Sequence, residues 1–95
     1  MKPGDPITLR GTVENMDGDC ADVAIEYGAP IGKTTGTVVT VPRYALDIDG
    51  DECSVPGVVR GWWYVDLAAP VLVVEVPCVA YGREATMVID YVEGD

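Results

Sequence analysis

A chain of 95 residues has room for one hydrophobic core, so residues 1–95 are expected to form a single domain, with 1–6 as an irregular N-terminal segment. Sixteen Asp and Glu face six Lys and Arg, with no His, for a formal charge of −10. That balance argues against nucleic-acid binding, which depends on Lys and Arg neutralising phosphates. No apolar run reaches the 18 residues of a membrane span. The opening Met1-Lys2-Pro3-Gly4-Asp5-Pro6 lacks the apolar stretch of a signal peptide. Val and Ile together number 21 against 4 Leu, and Phe is absent. Branched side chains of this kind favour a pleated sheet over a helix.

Taken in order, Ile7, Leu9, Gly11 and Val13 alternate with Thr8, Arg10, Thr12 and Glu14, the pattern of a half-buried strand. Asp17-Gly18 suits a tight hairpin. A second strand is expected from Cys20 to about Tyr27, with Ala21, Val23, Ile25 and Tyr27 inward. Gly28 to Gly36 reads as a loop, and Thr37 to Val41 as a third strand stopped by Pro42. Arg43 to Ile48 could hold one turn of 3₁₀ or α-helix, and Asp49-Gly50-Asp51-Glu52 another turn.

The fourth strand is predicted over Val58 to Leu67 and carries Trp62 and Trp63. Strict alternation places Val59, Trp63, Val65 and Leu67 on the core face. Val58, Arg60, Trp62, Tyr64 and Asp66 then share the other face, where a core would not keep the two charges. Val71 to Val79 is a fifth strand apolar on nearly every residue, hence central or covered by another subunit. A turn at Tyr81-Gly82-Arg83-Glu84 leads to a sixth strand, Ala85 to Val92, whose core face is ambiguous. Five to seven strands at this spacing imply an all-β fold, a single small antiparallel barrel or sandwich.

Few residues point to chemistry. Without His the leading general base and the Ser-His and Cys-His pairs are missing. Two carboxylates could hydrolyse glycosides, but a domain this small seldom has the necessary cleft. Gly32-Lys33-Thr34 matches only the end of a phosphate loop, with Tyr27 where its leading glycine belongs and no following helix. Cys20, Cys53 and Cys78 are odd in number and widely spaced, without a CxxC, and read as reduced, small buried residues. Asp47, Asp49, Asp51 and Glu52 form the densest acidic cluster, with Asp17, Asp19 and Asp22 a second. They read as solvated turns, with a weak Ca²⁺ site as the sharper alternative. Met16-Asp17-Gly18-Asp19-Cys20 is echoed by Ile48-Asp49-Gly50-Asp51-Glu52-Cys53, a duplicated hairpin or two uses of one favourable turn.

Gly11-Thr12-Val13-Glu14, Asp17-Gly18-Asp19 and Val38-Val39-Thr40-Val41-Pro42-Arg43-Tyr44-Ala45-Leu46 resemble the opening of small OB- and SH3-like barrels of actinobacteria and their phages. The resemblance covers Pro6 to Leu46, and the matching residues are turn chemistry. It implies a barrel and, for a location, a virion or the host cytoplasm. It departs from nucleic-acid-binding OB proteins in lacking their basic groove.

Trp62, Tyr64 and Arg60 are therefore the candidate interface residues, since Trp and Tyr are enriched at binding hot spots. The Gly28–Gly36 loop could instead cover them, or a sugar or small ligand could stack there. The expectation is a non-enzymatic assembly module without cofactor, a homo-oligomer or part of a larger assembly such as a bacteriophage capsid decoration or connector. The alternative is an acidic inhibitor of a basic, nucleic-acid-binding host protein.

Overall fold

The computed structural model describes residues 2–25, 37–64 and 70–91. The fold is all-β: the seven strands form one antiparallel sheet that curls into a nearly closed barrel. The strands are β1 (Pro6–Asp17), β2 (Cys20–Ile25), β3 (Thr37–Pro42), β4 (Asp47–Asp49), β5 (Glu52–Tyr64), β6 (Pro70–Ala80) and β7 (Arg83–Tyr91). A 3₁₀ turn, Arg43–Ala45, precedes β4. The order across the sheet is β3-β2-β1-β5-β6-β7, with β4 paired to β5 off this path.

The first hairpin follows the alternation of its sequence. Gly11 pairs with Ile25, Val13 with Val23 and Asp17 with Cys20. Leu9, Gly11, Ala21, Val23 and Ile25 are buried, while Ile7 and Val13 are half-buried. The predicted continuation to Glu26 and Tyr27, and the Gly28–Gly36 loop, lie outside the described residues. The two echoing segments are hairpin turns of one kind. Gly18 (φ 60°) and Gly50 (φ 66°) each take the first loop position in a left-handed conformation, as a II′ turn requires.

Two boundaries differ from the sequence expectation. The segment after Pro42 gives a 3₁₀ turn as expected, but then a short strand, so Ile48 pairs with Cys53 across a second hairpin. The strand carrying the tryptophans begins at Glu52, six residues before Val58, because Cys53, Val55, Gly57 and Val59 alternate inward and all are buried. Pro56 lies within this stretch, yet it sits where a proline is tolerated. Val59 exchanges backbone hydrogen bonds with Gly4 and Asp5 on the β1 side, so even-numbered residues of this stretch face the opposite edge. There β4 pairs only with Glu52 to Ser54, and β6 begins pairing at Val58. Pro56 falls in the gap, where its missing N–H breaks no ladder bond.

β6 is central, between β5 and β7, which accounts for its apolar character. Leu72, Val74, Val76 and Cys78 face the core. On β7 the core face is the odd-numbered one: Ile89 and Tyr91 are buried, Met87 packs against them, and Val88 is exposed. The last hairpin turns at Tyr81 (φ 54°) and Gly82 (φ 73°), both left-handed as a I′ turn demands. Tyr81 is the sole non-glycine residue at positive φ among the described residues, at a cost of about 1 kcal/mol, and its side chain is fully exposed.

The core is built from small branched residues: Leu9, Val23, Ile25, Val39, Val41, Val55, Val74 and Val76 are all essentially sealed from solvent. β3 reaches across to β6, so Val39 and Val41 join the same cluster as Val74, Val76 and Cys78. Glycine makes room on the core face for a valine of the neighbouring strand. A Cβ on Gly11 would stand 2.5 Å from Val23 Cγ1 and 3.1 Å from the Ala24 carbonyl oxygen. Gly11→Ala is therefore expected to cost about 1–3 kcal/mol by overpacking. Gly61→Ala, which meets nothing within 4 Å, should change stability by no more than about 0.5 kcal/mol. Urea unfolding of the two variants checks the contrast, and equal midpoints would contradict the packing described.

Candidate functional site

The aromatic segment of β5 is set by a bulge. Val58 pairs with Glu75 and Val59 with Val74, but the next pair is Gly61 with Val73. Arg60 is thus an extra residue on β5 with no opposite number on β6. Because side chains alternate with a period of two, one inserted residue exchanges the faces of everything beyond it. Trp62 now lies opposite Leu72, and Trp63 opposite Val71. Leu72 belongs to the core cluster, so Trp62 stands on the core side of the sheet, at the rim of the barrel. Tyr64, two residues on and opposite Pro70, follows Trp62. Trp63 takes the outer side with Arg60.

The strict alternation assumed from sequence is therefore corrected. Trp63 is not a core residue: it is 44% exposed, the same as Trp62, and Tyr64 is 57% exposed. The expected shared surface of Arg60, Trp62 and Tyr64 is split, with Arg60 outside and the other two on the inner side of the rim. Val65, Asp66 and Leu67 lie outside the described residues. A bulge leaves little sequence signal, but the Arg-Gly pair ahead of the aromatics marked the place, since glycine inside a strand often accompanies one.

Arg60 is also committed within the chain. Its guanidinium forms an ion pair with Glu75, donating from both Nε and Nη2 to Glu75 Oε2. The Thr86 hydroxyl donates to Glu75 Oε1 at 3.2 Å. The three side chains come from β5, β6 and β7 and tie the outer face of these strands together beside the bulge. Trp63 Nε1 donates a long hydrogen bond, 3.5 Å, to Asp90 Oδ1 of β7. The outer face of this half thus carries Trp63, Val73 and Val88 around a polar triad that is satisfied internally.

The remaining candidates are placed as follows. Asp47, Asp49, Asp51 and Glu52 stand exposed around the β4–β5 hairpin. Among the described residues no group of three or more His, Cys, Asp and Glu is gathered in a way that could hold a metal ion. Asp22 accepts a 2.7 Å hydrogen bond from the Thr40 hydroxyl on β3. The three cysteines are free thiols: Cys53 and Cys78 are buried and Cys20 is half-buried. Burial pushes the Cys53 thiol above its ordinary pKa, which keeps it protonated and unreactive.

Sequence reasoning missed a second feature, at the opposite end of the barrel. An open groove of about 770 Å³ lies between the β1–β2 turn and the β6–β7 hairpin. Its apolar walls come from Cys20, Pro42, Leu46, Ile48 and Val79, and Asp19, Arg43, Tyr44 and Glu84 stand around them. Arg43 fixes one wall: its backbone N–H donates to the Asp19 carbonyl at 2.8 Å, and Nη1 to the Gly18 carbonyl at 3.3 Å. No alternation within one strand could have revealed this groove, because its walls come from separate turns.

The Arg60 hydrogen bond holds the Glu75 carboxyl below the usual Glu pKa, with help from Thr86. A carboxylate depressed in the folded state adds stability above its unfolded pKa and loses it as the pH falls through the folded value. Arg60→Ala should raise the Glu75 pKa toward its ordinary value, read from side-chain carboxyl NMR shifts. An unchanged titration would show that the pair does not persist in solution.

The chain matches no protein-family model, no curated protein and no solved structure.

Proposed function

We propose that this protein is a non-enzymatic interaction module that joins a protein partner, or further copies of itself, through the aromatic rim of β5. The carrying observation is that Trp62, Trp63 and Tyr64 are consecutive, span both faces of the sheet at the barrel rim, and are each more than 40% exposed. Large rigid aromatics left half in water are the side chains that dominate binding energy when a partner covers them. The setting on this reading is an assembly such as a bacteriophage particle, with the chain as a decoration or connector protein. That placement is supported by the resemblance of Pro6 to Leu46 to small barrels of actinobacteria and their phages.

A second reading is favoured by the net charge of −10 and by where the carboxylates gather. On it the chain is an acidic ligand for a basic host protein. The two readings differ in salt dependence: an apolar contact tolerates salt, whereas a charge contact weakens over the screening length of about 8 Å at physiological ionic strength.

Because the bulge leaves both tryptophans half-exposed, Trp62→Ala and Trp63→Ala should each leave the fold standing and each weaken association by about 2 kcal/mol, the hot-spot scale. Light-scattering mass of the isolated protein and titration against a captured partner, at low and high salt, provide the measurement. If neither variant changes association, the aromatic rim is not the interface. If Trp63→Ala alone unfolds the chain, the face exchange at Arg60 is wrong.

A further inference from the structure

We infer that the groove at the turn end of the barrel is a binding site for a cationic peptide segment with an apolar side chain, such as a Leu flanked by Arg or Lys. This deepens the second reading by naming its site and ligand, and is independent of the aromatic rim.

The groove exists because β4 takes the edge of β5 at Glu52 to Ser54. β6 cannot pair with β5 there, and the β6–β7 hairpin leaves a gap in front of the β1–β2 turn, lined by the 3₁₀ turn and Ile48. A volume near 770 Å³ matches the usual range for ligand sites, about 300–1,000 Å³. The apolar lining of Leu46, Ile48 and Val79 gives an aliphatic side chain somewhere to leave water.

The charge around it selects the sign of the ligand. Asp19 and Glu84 line the groove, and Asp47, Asp49, Asp51 and Glu52 stand on the neighbouring hairpin, all exposed. The sole ion pair among the described residues is that of Arg60 with Glu75, on β5 and β6 away from these turns. Against these carboxylates stand Arg43, whose guanidinium is turned onto the Gly18 carbonyl, Arg83, and Arg10, opposite Ser54, whose other partner is Asp47.

Two tyrosines complete the argument. Tyr44 lines the groove and is 80% exposed. Tyr81 precedes the groove residue Gly82 and is fully exposed at a positive φ that glycine or asparagine would adopt without strain. Its ring packs on none of the described residues to offset that strain. Tyrosine faces attract Lys and Arg, so a ring held at this turn suits a cationic ligand.

The test is fluorescence anisotropy with a labelled peptide of alternating Arg and Leu, beside one with every Leu replaced by Ser, on the intact chain at low salt. The Arg-Leu peptide should bind at least about ten-fold more tightly, as expected for burying even one Leu side chain. Tyr81→Asn should shift the urea midpoint upward while weakening the Arg-Leu peptide several-fold, a split that a merely structural tyrosine would not produce. Asp19→Asn with Glu84→Gln should weaken it further. Equal binding of the two peptides would overturn the site, leaving only non-specific charge attraction. Unaltered binding in both the Tyr81 and the Asp19–Glu84 variants would also overturn it, whatever becomes of the charge reading as a whole.

Discussion

One edge of β5 is shared between two partners, and the rest of the molecule is arranged around that division. On its other edge β5 pairs continuously with β1, from Glu52 to Val58. On the divided edge β4 holds Glu52 to Ser54, Pro56 faces no partner, and β6 takes over from Val58. A backbone without a partner on one side must be solvated or covered, and a proline at the break removes the donor that would need satisfying. The division decides where each half of the barrel goes. Beyond Val76 the β6–β7 hairpin is free of β5 and leans toward β3, which closes the core around Val39, Val41 and Cys78 and leaves the groove. At the other end, the bulge at Arg60 lets β5 keep its ladder with β6 while changing which aromatics meet the core side.

The bulge needs fixing, because an extra residue with no opposite number could migrate along the strand. The Arg60–Glu75–Thr86 triad supplies the fixing. It joins the bulged residue to the adjacent β6 and, through it, to β7, by hydrogen bonds that end on one carboxylate. Its carboxylate is partly open to water, so the direct contribution to stability is small. The value of such a contact lies in register. A slip of one residue would break the triad and would also place Trp62 on the outer face and Trp63 on the inner one.

Much of this was legible from the chain. Alternation of Ile7, Leu9 and Gly11 with polar residues, and Gly18 after Asp17, specify the first hairpin because a half-buried strand and a tight turn are local properties. The apolar run of β6 pointed to a strand that is central or covered by another subunit, and the sheet order sets it between β5 and β7. What the sequence concealed depends on partners. A proline breaks most strands, so Glu52 to Gly57 does not read as part of β5 until the edge on which Pro56 has no partner is known. The inner and outer assignment of the tryptophans failed because a bulge shifts the period without changing composition. The groove was invisible because Cys20, Ile48 and Val79 are brought together only by closure of the barrel. Even the ambiguous face of β7 became clear only when Ile89 was set opposite Val74.

The two ends of the barrel consequently present different physics to a partner. At the β5 rim the exposed groups are aromatic, the nearby Arg60 is already neutralised by Glu75, and what a partner gains is burial of apolar surface, which salt does not screen. At the turn end the carboxylates of Asp19, Asp47, Asp49, Asp51 and Glu52 stand on tight turns whose conformations Gly18 and Gly50 fix. Charges on rigid turns lose little entropy when a partner's cations approach, and they act on an approaching molecule before contact. Both ends are mounted on one core of close-packed valines, where an added Cβ at Gly11 or Gly57 would approach Val23 or Val74 within 2.5–2.6 Å. That tight interior gives the turns and the rim a common rigid frame, so each end can meet a partner without reshaping the other.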